Sequence, residues 1–189
     1  MASKLAGGAD DVQVIGNEQM RQQLEQVKNL PAGSQLSPQK CAKLQDEYTV
    51  NDLTGSVAAT ASTASAERGQ VIQVFSLRDA ATRKQVLHAL SLKDISGCEK
   101  VQVPAGGQQV AAQRQILDLK INAESALSMA TSMDAGGGQK LESVTVQALD
   151  GNDFVLLTLQ TGSQDAQQLA KDAEKLANRA FKEIDALKH

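Results

Sequence analysis

The sequence predicts an α+β fold: an antiparallel β-sheet of about five to six strands with helices packed on one face and a long C-terminal helix. Three observations carry this. Residues 98–159 break into short apolar or alternating runs separated by Gly-, Pro- and Asp-containing turns, which is the mark of a strand meander. Asp150-Gly151, between two such runs, is a strong two-residue hairpin signal. No β-α-β alternation runs through the chain, so nothing points to a doubly wound parallel sheet.

In chain order, residues 1–16 read as a flexible linker and 17–189 as one domain. Asn17 is placed to cap a first helix whose stripe is Met20, Leu24 and Val27. Leu30-Pro31-Ala32-Gly33 ends it. Ser37 and Pro38 read as N-cap and first residue of a second helix, which puts Cys41 and Leu44 on one face. Residues 46–54 are polar and read as loop. Ser56 to Ser65 is rich in Ala and Thr and can be extended. A hairpin connection at 67–69 joins it to Val71–Phe75, a strand by its β-branched and aromatic content. Asp79 then caps a helix running to Leu90, with Ala80, Val86, Leu87 and Leu90 inward.

The second half reads as strands at Cys98–Val103, Val110–Ile121, Ala126–Met133, Leu141–Leu149 and Phe154–Leu159. Apolar residues at 144, 146 and 148 give the period of two expected of a half-buried strand. Phe154–Leu159 is the most apolar run and is expected near the centre of the sheet. Ser163 to Leu187 reads as one amphipathic helix about 35 Å long. Its stripe is Leu169, Ala173, Leu176, Ala180, Ile184 and Leu187, with Phe181 at the edge.

Composition narrows the function classes. A chain of 189 residues with 41% hydrophobic and 22% charged residues suits a soluble domain with a proper core. Aromatics are 2%, with no Trp and the single Tyr48, so the core is aliphatic and no platform for stacking bases or sugars is expected. The net charge is −3 and no Lys/Arg cluster stands out, which argues against a nucleic-acid partner. No apolar run is long enough to cross a bilayer. The opening MASKLAGGADD lacks the apolar core of a signal peptide. It reads as an expression start joined to a small polar linker, such as removal of a signal or anchor leaves; a native cytoplasmic start is the alternative.

Little in the sequence points to catalytic chemistry. His88 lies mid-helix, where it is either a general base or, as such histidines more often are, a surface or core residue. No GxSxG elbow and no Rossmann GxGxxG occurs. Residues 136–140 fall short of a phosphate loop, because GxxxxGK[ST] is not met and a strand follows instead of a helix. Residues 150–153 group carboxylates but form a hairpin turn and lack the closing Glu of an EF-hand. Cys41 and Cys98, separated by 57 residues, have no CxxC spacing, and the only histidines are His88 and His189. No metal, no cofactor and no catalytic residue is therefore expected. The two cysteines permit one disulfide or two buried thiols that behave as small hydrophobes. Near a helix N-terminus, Cys41 is also a candidate reactive thiol.

With these elements in place, the chain resembles the extracellular sensor domain of the PknH-type kinases and the secreted or lipid-anchored actinobacterial proteins that carry it alone. Leu36-Ser37-Pro38-Gln39-Lys40-Cys41, the strand Val71–Phe75 with the helix from Asp79, Ser96-Gly97-Cys98, and the strand 152–158 feeding a helix with Ala170 and Ala173 carry the resemblance, over residues 17–187. The family's second cysteine pair has no counterpart here. The resemblance implies that Cys41 and Cys98 are bonded. It also implies a cleft on one side of the sheet and a lipoprotein held outside the cytoplasmic membrane by an N-terminal anchor.

The expected function is extracytoplasmic, non-catalytic binding or sensing of an unknown small molecule, glycan or lipid in a groove over the sheet. Strand faces suggest Gln113, Gln115, Ser128, Thr131 and Thr145 as its lining. The alternative is an envelope scaffold that contacts an envelope protein and binds no small ligand; an enzyme using Cys41 or His88 is a third.

Overall fold

The computed structural model describes residues 13–20, 22, 36–50, 52–53, 56–64, 68–105, 108–136, 139–162 and 165–188. Its elements are β1 (Gln13–Ile15), α1 (Gln39–Glu47), β2 (Val57–Ala64), β3 (Arg68–Ser76), α2 (Ala80–Leu90), β4 (Lys100–Ala105), β5 (Gln108–Leu117), β6 (Ser125–Gly136), β7 (Gln139–Asp150), β8 (Asp153–Thr161) and α3 (Ala166–Ala186). Residues 17–20 and 22 are also helical. Leu24, Val27 and the 30–33 turn lie outside the described residues. Among the described residues, no helix is long and apolar enough to cross a membrane.

All strands join one eight-stranded sheet in the order β1-β2-β3-β8-β7-β6-β5-β4, and every neighbouring pair is antiparallel. β4 to β8 form the expected meander. β8 then pairs with β3, which joins the meander to the N-terminal strands and places the most apolar strand in mid-sheet. The β7–β8 hairpin turns on Gly151 and Asn152, one residue later than the Asp-Gly signal, with Gly151 at φ 57° in the first loop position.

The sheet has eight strands where five to six are expected. β1 is three residues long, too short for a periodic signal, and it converts the end of the expected 1–16 linker into an edge strand paired with β2. β2 is VAATASTA, whose small side chains blur the alternation, yet it pairs with β3 over its whole length.

The layers differ from expectation as well. Val155, Leu157 and Leu159 of β8 pack against α3, together with Val144, Val146 and Ala148 of β7. The intervening Phe154 and Leu156 point the other way, into a cluster with Cys41, Leu44, Val86 and Leu90 from α1 and α2. Helices therefore cover both faces. The reason lies in β8 itself: a strand apolar at both parities must be covered on both sides.

α3 meets the sheet through Leu169, Ala173, Ala177, Ala180 and Ile184, all buried, with Phe181 beside them. Alanines in the middle of this stripe let the helix backbone approach the Val/Leu face closely. Leu187, expected inward, is the C-cap and is 70% exposed. Asp165 caps the helix by accepting from the Gln168 amide at 2.8 Å, and Asp79 caps α2 by accepting from Ala81. Two other caps differ from expectation. Asn17 accepts from the Ala58 amide at 2.9 Å and so ties the first helical turn to β2. Pro38, not Ser37, precedes the first residue of α1.

Candidate ligand pocket

α1 is held over the sheet at three points along its length. Ahead of it, Ser37 exchanges two backbone hydrogen bonds with Gln102 of the edge strand β4, at 3.2 and 2.9 Å. In its first turn, Cys41 is disulfide-bonded to Cys98, across a sequence separation of 57. At its end, the Tyr48 ring stacks on His88 of α2 with centroids 5.1 Å apart. The expected cysteine pairing is present, and Cys41 is therefore no free thiol. His88 is exposed on α2, behind Tyr48.

Between this clamped helix and the sheet lies a half-open pocket of about 440 Å³. Leu44, Gln45, Tyr48, Thr49 and Val50 form its roof, and Leu36, Leu53, Leu92 and Ile95 close its sides. Its floor is the face of β4–β8 opposite α3: Val103, Arg114, Leu127, Met129, Thr131, Thr145, Gln147, Phe154 and Leu156. Most of the lining is apolar, and Gln45, Thr49 and Thr131 gather around Arg114. That is the usual make-up of a small-molecule site, and the volume falls within the range of roughly 300–1,000 Å³ typical of such sites.

The polar region is organised by Arg114. Its guanidinium donates from Nη2 to Gln45 Oε1 at 2.9 Å. Nε and Nη2 also lie 3.3 and 3.1 Å from the Met129 sulfur. Gln45 passes the chain on by donating from Nε2 to Thr49 Oγ1 at 3.3 Å, and the Thr49 hydroxyl donates in turn to the Gln45 carbonyl. Burial pushes the Arg114 guanidinium below its ordinary pKa, because the charged form loses hydration. It remains charged at neutral pH all the same. Thr145 and Thr158 share a hydroxyl hydrogen bond of 3.3 Å on the same sheet face.

The five residues expected to line a groove divide between the two faces. Thr131 pairs with Arg114, and Thr145 with Met129, so both stand on the pocket floor. Gln113 pairs with Ser132, Gln115 with Ala130, and Ser128 with Val146, which puts all three on the α3 side. There Gln113 and Gln115 are exposed and Ser128 is buried. Alternation explains the split: neighbouring strand positions face opposite ways, and polarity alone does not say which parity faces the cleft. Arg114, which the expectation passed over, does carry a signal. Its i±2 neighbours are Ala112 and Ile116, so a charge sits on the apolar parity of its strand. Among the described residues, no group of three or more His, Cys, Asp or Glu is placed to hold a metal.

No protein-family model matches the chain, and no curated protein matches its sequence. Similar solved structures include two from mycobacteria. The extracellular domain of PknH from Mycobacterium tuberculosis shares 12% identity at a TM-score of 0.47, over 94% of this chain and 90% of that one. An uncharacterised protein from Mycobacterium smegmatis, an Rv0999 ortholog, shares 14% identity at a TM-score of 0.49, over 96% and 95%. The first is the domain that the sequence resemblance names.

Proposed function

We propose that this chain is an extracytoplasmic, non-catalytic binding or sensing domain of a cell-envelope lipoprotein, and that its ligand sits between α1 and the sheet. One observation carries the reading: a pocket of about 440 Å³, largely apolar with polar groups gathered around Arg114, under a helix held by a disulfide. The disulfide suits an oxidising compartment. Attachment through an N-terminal lipid anchor is the part that the sequence resemblance supplies. The non-catalytic reading is supported by the bonding of Cys41, the candidate nucleophile, and by the position of His88 outside the pocket lining.

Native mass spectrometry of protein purified from its own host, before and after denaturation, tests this. A co-purifying small mass released on unfolding is the expected result. Clean protein, together with no rise in Tm on adding an extract of the host envelope, counts against the ligand reading and favours the scaffold alternative.

A further inference from the structure

We infer that the pocket takes a single-chain amphiphile: an aliphatic body in the hydrophobic walls and an oxyanion head on Arg114. This rests on the reading of the cavity as a ligand site and adds the chemical class of the ligand.

Charge accounting leads to it. Arg68 pairs with Asp172 at 3.1 Å, and Arg83 makes two hydrogen bonds to Glu124 at 2.8 and 2.6 Å. Arg114 is half-buried, yet its partners are one neutral amide oxygen and one thioether sulfur. A guanidinium carries five N–H donors arranged as a fork that matches a carboxylate or phosphate. Among the described residues, Nη1 meets no acceptor and no Asp or Glu lines the pocket. The other polar side chains of the lining (Gln45, Tyr48, Thr49, Thr131, Thr145 and Gln147) are neutral. Among the described residues, the lining therefore carries one half-buried positive charge without an acid partner, where a charge-assisted hydrogen bond is stronger than in open water. Leu44, Leu53, Leu92, Ile95, Leu127 and Leu156 surround the remaining space and suit a hydrocarbon chain. A cationic ligand would meet Arg114 as a like charge. A sugar would find mostly aliphatic contacts and little to stack on.

Calorimetric titration of the full chain with dodecanoate, dodecanol and dodecylammonium, below their micellar concentrations, tests the inference. Dodecanoate should bind at least about tenfold tighter than dodecanol, and dodecylammonium no tighter than dodecanol. Arg114→Gln should reduce dodecanoate to the affinity of dodecanol and leave dodecanol unchanged; Arg114→Lys should keep part of the preference. Equal binding of dodecanoate and dodecanol by the wild type overturns the inference and leaves the ligand-site reading standing. Failure of all three probes to bind overturns the inference, while the host-purified protein still tests the broader reading separately. Should Arg114→Gln not fold, the wild-type comparison of head groups decides alone.

Discussion

The two faces of the sheet are built from the same strands and solve different problems. On one, Val144, Val146, Val155, Leu157 and Leu159 meet the alanine stripe of α3, and the helix lies close. On the other, α1 is kept over the sheet by a disulfide, a backbone bridge and a ring stack, and a pocket remains beneath it. Small residues close one layer; clamps hold the other open. A binding site can therefore occupy one face while the opposite face supplies the packing that keeps the strands in register. Stability and affinity should separate along this line.

The largest expected effect breaks the clamp. Cys98→Ala, or reduction, releases a cross-link spanning 57 residues and should cost about 4 kcal/mol in urea denaturation. A loss below about 1 kcal/mol would mean that α1 is held without it. Next comes the closed face. Leu157→Ala removes a fully buried side chain beneath α3 and should cost about 3 kcal/mol with ligand affinity unchanged. Loss of affinity in a folded Leu157→Ala protein would show that the two faces are coupled. A smaller effect sharpens the contrast from the pocket side. Arg114→Met replaces a half-buried charge that has no acid partner among the described residues. Its stability should stay within about 1 kcal/mol of wild type, or rise, even as the preference for an anionic head group is lost.

The smallest effect lies at Asp79. Its carboxylate is held below the ordinary Asp range, first by the Ala81 amide and then by the Thr82 hydroxyl. A carboxylate with a lowered folded-state pKa stabilises fully above its unfolded value and loses that contribution as pH falls through the folded value. Wild type and Asp79→Ala should therefore differ at pH 7 and converge as the pH drops below about 4. A gap that stays constant with pH would rule out the capping role.

Much of the fold is legible where local chemistry decides it. The β7–β8 hairpin, the Asp79 cap and the amphipathic C-terminal helix all follow from residues within a few positions of one another. β1 and β2 are hard to read because three residues in one, and Ala, Thr and Ser in the other, give almost no period. The two-sided covering of β8 is written in Phe154–Leu159, where both parities are apolar, though a half-buried meander is the simpler reading. The pocket is less legible because it depends on which parity of β5 and β6 faces α1, and that is settled by pairing across the sheet. Thr131 and Thr145 reach the pocket; Gln113, Gln115 and Ser128 fall on the other side. Arg114 is detectable from Ala112 and Ile116, its apolar neighbours two residues away on either side.

Methyl NMR can set the two faces side by side in one sample. With Met and Leu methyls labelled and dodecanoate titrated in, Met129 and Leu127 should shift and saturate together while Leu157 and Leu169 stay in place. Shifts confined to Leu157 and Leu169, or no saturable shift at Met129, would contradict the assignment of recognition to the face beneath α1.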